Sequence, residues 1–105
     1  MKAGELRPHK GSTTIAEGLR MNITPMTFGI FKKHLESVLL VSEQEIVEAM
    51  KLIFERMKIV VEPSSAVVFA AVLRNKALFK NKRVGLLVSG GNVDVENLPF
   101  GRPKL

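Results

Sequence analysis

The sequence predicts an α/β fold: a layer of mainly parallel sheet packed by helices, of which this chain holds an incomplete share. Three observations predict it. An S-x-x-E capping box opens an amphipathic helix at residue 43. A helix that is apolar on all sides follows the Glu62-Pro63 boundary. A continuously apolar run over 83–88 ends in Ser89-Gly90-Gly91-Asn92, as a parallel strand covered on both faces does where it hands over to a turn.

Taken in order, residues 1–13 are polar and carry Gly4, Pro8 and Gly11, which reads as a loop-like start. Residues 14–36 mix Thr14-Ile15-Ala16-Glu17-Gly18 with a Pro25 and Gly29 stretch, so short helical pieces broken by turns are expected. The run 37–41 (SVLLV) reads as a short strand. Ser42-Glu43-Gln44-Glu45 is the capping box. Behind it Ile46, Met50, Ile53 and Met57 recur at helical spacing, on one face that belongs in a core. Glu48, Lys51 and Glu55 fall on the other side, spaced to pair at i+3 and i+4. Residues 58–61 read as an extended link. A helix from Ser64 to about Asn75 contains the eight-residue apolar run 66–73 and is expected to be buried, its alanines permitting close approach to a sheet. A basic loop (75–82) precedes the second strand, 83–88. The tail 95–105, with Pro99, Gly101 and Pro103, belongs on the surface. Two short strands and one fully apolar helix cannot cover each other, so the segment reads as part of something larger or as half of an oligomer.

Composition narrows the function. With 105 residues, 46% of them hydrophobic, the chain is one domain or a piece of one and is not intrinsically disordered. The absence of cysteine excludes disulfides, thiolate zinc sites and a cysteine nucleophile, and fits a reducing compartment. No apolar stretch near the start resembles a secretory signal, and the longest apolar run is far below the roughly 18 residues a membrane helix needs. A soluble, cytoplasmic chain without a membrane partner is expected. The net charge of +6 invites an anionic partner, and an independent basic module binding RNA is one reading. The bases are scattered, however, and there is no Trp or Tyr to stack on bases, so no nucleic-acid partner is expected. His9 and His34 are isolated, match no metal spacing and read as surface residues.

The chemistry lies at the end of the second strand. Open α/β sheets bind ligands beyond the carboxyl ends of their strands. There Ser89 offers a hydroxyl that both donates and accepts, and Gly90 and Gly91 leave the backbone bare for close approach. Taken alone, the tetrapeptide fits an ordinary turn equally well.

Three blocks in fixed order add to this: TIAEG at 14–18, ERMKIVVEPSSA at 55–66 and LLVSGGNVD at 86–94. Over residues 12–100 the chain resembles the C-terminal part of the serine racemase and threonine/serine dehydratase family. These are pyridoxal-phosphate (PLP) enzymes of fold type II, the tryptophan-synthase-β-like fold. The resemblance implies that residues 1–105 are the C-terminal part of a large three-layer α/β/α PLP domain. Two positions depart from the family pattern. Glu17 stands where Asp is usual, and Ser65 replaces the glycine of EPSGA, adding bulk where backbone runs near the cofactor.

The resemblance also implies roles. Ser89 matches the serine that hydrogen-bonds the pyridine nitrogen of PLP, and Gly90, Gly91 and Asn92 shape the turn that carries it. Gly18 matches a glycine whose backbone lies beside the ring. Glu62 matches a glutamate near the cofactor. A serine can pair with a neutral pyridine nitrogen, so the ring is a weaker electron sink than one paired with Asp, which suits β-elimination or racemisation. In some relatives the positions of Lys58 and Asn92 help to bind a regulatory nucleotide. Plainer roles stay open: Glu62 as a helix N-terminal charge, Gly18 as a turn terminator, Lys58 as a helix C-terminal cation.

The family's Schiff-base lysine, its glycine-rich phosphate loop and the acidic ligands of an activating divalent cation match nothing in this sequence. No catalytic residue is assigned, and the chain by itself is not expected to be catalytically competent. The implied partners are the missing N-terminal part of the same enzyme or a full-length homologue, and a small amino-acid substrate. A homo-oligomer is implied for the complete enzyme. The alternative is a non-catalytic subunit or pseudoenzyme that docks on a full-length relative through its apolar helix, 66–73.

Overall fold

The capping box at Ser42 does what its spacing predicts. The structure, a computed structural model, describes residues 14–19, 21 and 23–101. The loop expected over 1–13, with His9 in it, and residues 102–105 of the tail lie outside the described residues. Helix α1 spans Pro25–His34, α2 Glu43–Met57 and α3 Pro63–Arg74, with short 3-10 turns at Glu17–Leu19, Lys76–Phe79 and Val95–Asn97. In α2, the Ser42 hydroxyl accepts from the Glu45 N–H at 3.1 Å, while the Glu45 carboxylate accepts from the Ser42 N–H at 2.7 Å. Two otherwise orphaned amides are thereby satisfied, a cap of about 1 kcal/mol. Lys58 closes the helix in the left-handed conformation (φ 60°) and returns its N–H to the Phe54 carbonyl. The expected link 58–61 therefore begins with a cap. The short helical pieces expected over 14–36 are the 3-10 turn Glu17–Leu19 and α1; Thr24 caps α1, Pro25 sits in its first turn, and Gly29 is tolerated within it.

Helices α2 and α3 form an antiparallel hairpin that makes the core. The short link 58–62 leaves them no other arrangement. Ile46, Ala49, Met50 and Ile53 of α2 meet Ala66 and Ala70 of α3, with Val61 from the link and Ala16 from the first sequence block closing the cluster. Met50 is 1% exposed and anchors it. At the open end of the hairpin Arg74 pairs with Glu45. On the outer side of α2, Lys51 pairs with Glu55 at 3.8 Å, whereas Glu48 takes a hydrogen bond from Gln44.

Two burial expectations change. Met57 is 62% exposed, because it is the last residue of α2, one turn beyond Ile53, the last buried position of the helix. Helix α3 is not buried all round. Ser65, Ala66 and Ala70 are, but 67–69 and 71–73 are only half-buried, since α2 covers a single face. The basic loop 75–82 contains the 3-10 turn Lys76–Phe79. In the tail, Phe100 folds back onto the cluster, its ring 5.5 Å from that of Phe54.

The expected strands at 37–41 and 83–88 are absent as strands: no sheet forms among the described residues. A strand exists only through its ladder, and neither run makes a backbone hydrogen bond to another segment among the described residues. Both expose apolar side chains, Leu40 at 87% and Leu87 at 79%. They are apolar runs without a layer to cover them. No helix of the described residues is long and apolar enough to cross a membrane.

Candidate functional site

The first turn of α3 organises the site. Pro63 suits the first helical position, where no amide is needed, so Glu62 becomes the N-cap. Glu62 makes no side-chain cap bond; its backbone N–H instead donates to the Gly90 carbonyl at 3.0 Å. Three residues on, the Ser65 hydroxyl accepts from the Ser89 N–H at 2.9 Å. The 89–91 turn is thus held at both ends of its first two residues by the 62–65 segment.

The two glycines fit this contact closely. A Cβ on Gly91 would lie 2.6 Å from the Val60 carbonyl oxygen, a backbone atom that cannot swing aside. A Cβ on Gly90 would lie 2.9 Å from a Glu62 carboxylate oxygen. Glu62 therefore lies against the turn through both its backbone and its carboxylate.

The other expected site residues join from one side. The Gly18 N–H donates to the Ser64 hydroxyl at 2.8 Å, which ties the first sequence block to the same helix start. Asn92 continues the turn into a cleft of about 480 Å³ that it lines with Glu17, Ser64 and Asp94. Asp94 has its carboxyl held below the usual range by hydrogen bonds from the Asn97 side chain and the Glu96 amide. All six residues expected from the sequence, Gly18, Glu62, Ser89, Gly90, Gly91 and Asn92, gather around the N-terminus of α3. Ser89 is exposed, and with its amide taken by Ser65 its hydroxyl is left free of protein partners among the described residues.

Sequence reasoning missed the residues that hold this arrangement. Ser65 entered as a bulky departure from glycine; the structure shows it 1% exposed and bonded to the turn. Ser64 and Val60 also went unremarked. Only the position of Ser65 two residues after the EP pair could have drawn attention to it, because its partner lies 24 residues away.

The arrangement presents an exposed Ser89 hydroxyl on a pinned turn, with the Glu62 carboxylate at its flank. The pyridine end of PLP suits that donor set. Residues 1–90 match the sequence profile of the pyridoxal-phosphate-dependent enzymes. The chain belongs to that family. It is similar to a β-hydroxyaspartate dehydratase from Paracoccus denitrificans, with 43% identity across 94% of this chain and 31% of the relative. Among solved structures it is similar to serine racemase from Dictyostelium discoideum (TM-score 0.79, 47% identity, 89% of this chain and 30% of that one). It is likewise similar to a T.th. threonine deaminase (TM-score 0.77, 36% identity, 89% of this chain and 34% of that one). The chain therefore aligns with a segment about a third as long as these PLP enzymes. No three His, Asp or Glu side chains among the described residues converge to hold a cation.

Proposed function

We propose that this chain is the C-terminal part of the large domain of a PLP-dependent ammonia-lyase or racemase acting on a small β-hydroxy-amino acid, and that it supplies the pyridine-nitrogen side of the cofactor site. The observation that carries the reading is the pinned turn: Ser89 is held by its backbone, its hydroxyl is free, and Gly90 and Gly91 let the turn seat against Glu62 and Val60. PLP, when bound, supplies the electron sink that makes the substrate α-proton removable. The chain's own residues set how strong that sink is. The Ser89 hydroxyl is uncharged, so it would pair with the pyridine nitrogen without holding a proton on it as a carboxylate does. Gly90 and Gly91 let the turn lie against the Glu62 carboxylate and the Val60 carbonyl, which sets where Ser89 stands. Gly18 reaches the same region through Ser64, and Asn92 extends it into the cleft.

The substrate class follows the relatives, which are named for hydroxyaspartate, serine and threonine chemistry. The runs 37–41 and 83–88 become strands of a mainly parallel sheet once residues outside this chain cover them, completing a three-layer α/β/α domain. Their bare apolar side chains support this reading. The complete protein is then cytoplasmic and homo-oligomeric, with any divalent cation held by residues outside this chain. A non-catalytic subunit is not favoured, because relatives that match across 89–94% of this chain are named as enzymes.

The test takes the natural polypeptide that carries this sequence. It should bind PLP and, given serine, threonine or 3-hydroxyaspartate, release a 2-oxo acid with ammonia or form the opposite enantiomer. Ser89→Ala should retain the fold and lose most of that turnover. A polypeptide that binds no PLP and turns over none of these amino acids would refute the proposal.

A further inference from the structure

We propose that Ser65 is a positioning residue for Ser89: its buried hydroxyl fixes the turn so that the Ser89 side chain is presented to the pyridine nitrogen in one orientation. This rests on the reading of Ser89 as the pyridine partner. The Ser65 backbone is itself fixed, because its N–H donates to the Glu62 carbonyl at 3.0 Å in the first turn of α3. One torsion then decides where its hydroxyl lies, and that hydroxyl meets the Ser89 N–H. The next anchor is the Glu62 N–H on the Gly90 carbonyl. Between these two bonds lie only the Ser89 and Gly90 α-carbons, so the direction of the Ser89 Cα–Cβ bond is set by α3.

Glycine, the residue of the family pattern at position 65, has no acceptor to offer. There the turn would keep only the Glu62 bond and the Val60 contact, and Ser89 could pivot about Gly90. Because Ser65 is almost wholly buried, removing its hydroxyl leaves the Ser89 amide without its partner on that side. The extra hydroxyl in this chain therefore converts a one-bond turn into a two-bond turn. Its effect is felt at the cofactor and not only in the fold.

The experiment compares Ser65→Ala, Ser65→Gly and Ser89→Ala with wild type in the natural polypeptide carrying this sequence. It reads the PLP dissociation constant, the absorbance spectrum of bound PLP and the Tm. Both Ser65 variants should weaken PLP binding about three- to tenfold, the scale of one net hydrogen bond, and move the spectrum in the same sense as Ser89→Ala. Thr24→Ala, which removes the cap of α1 away from the turn, should lower Tm without moving the spectrum. Should Ser65→Ala fail to accumulate, Ser65→Gly carries the comparison, since the family pattern has glycine there. Ser65 variants that lower Tm but keep the wild-type spectrum and affinity, while Ser89→Ala changes both, overturn the positioning role and leave the proposed function intact. If Ser89→Ala also binds PLP as wild type does, or the polypeptide binds none, the reading of Ser89 fails and this inference fails with it.

Discussion

Substituting Gly91 by alanine puts a Cβ 2.6 Å from the Val60 carbonyl oxygen, whereas ordinary van der Waals contact begins at 3.4 Å. The obstacle is backbone, so the turn itself must move by several tenths of an ångström. Moving it away from 60–62 stretches the bond between the Glu62 N–H and the Gly90 carbonyl. Overpacking of this kind costs about 1–3 kcal/mol, and one weakened hydrogen bond adds about 1 kcal/mol. Gly91→Ala should therefore destabilise by about 2–4 kcal/mol and weaken PLP binding with it. Gly85→Ala is the matched control: nothing lies within 4 Å of its Cβ position, and its backbone is not left-handed. It should be neutral, or stabilising by up to about 1 kcal/mol through the unfolded chain. Urea unfolding of both variants, followed by circular dichroism, measures the difference at equal m-values. Equal midpoints for Gly91→Ala and Gly85→Ala would show that the turn is not seated against Val60, and the site geometry would have to be abandoned.

Further outcomes follow from the same contacts. Met50→Ala empties the centre of the α2–α3 hairpin and should cost about 2–5 kcal/mol in urea unfolding. Ser42→Ala removes the capping box and should cost about 1 kcal/mol by the same assay. The Glu45 carboxyl is held below its ordinary value of 4.5, first by the Ser42 amide and further by Arg74, so its contribution is present above pH 4.5 and lost as pH falls through the lowered folded value. Glu45→Gln should flatten the acid side of the stability–pH curve, and an unchanged curve would remove Glu45 from that account. Leu87→Lys adds a charge to a side chain that is 79% exposed here. In the natural polypeptide it should reduce soluble folded yield if 83–88 is a covered strand, and gel filtration of the expressed variant decides this.

What could be read from the sequence was what is local. The Ser42–Glu45 box and the Glu62-Pro63 boundary are written within four residues, and the physics that satisfies helix-end amides acts over that distance. The buried stripe of α2 was legible for the same reason, except for Ala49, whose burial depends on how closely α3 approaches, and Met57, which lies past the last covered turn. The six site residues were named from ordered blocks and do gather at one helix end. The bond from Ser65 to Ser89 and the seat of Gly91 on Val60 were not legible, because each joins positions far apart in the chain. The runs 37–41 and 83–88 form no ladder among the described residues for a related reason: β-propensity records a suitable surface, but the ladder belongs to a partner.

The hairpin of α2 and α3 is fastened differently at its two ends. One end is closed by the pair between half-buried Glu45 and exposed Arg74, whose strength depends on salt and on the charge of a carboxyl group. At the other end the 62–65 segment is joined to the 89–91 turn by backbone amides, which neither moderate salt nor mild acid neutralises. Raising ionic strength or lowering pH should therefore loosen the hairpin from one side only, with the amides near Arg74 exchanging first and those around Ser65 last. The molecule would fray in a fixed direction and keep its ligand-facing end assembled the longest.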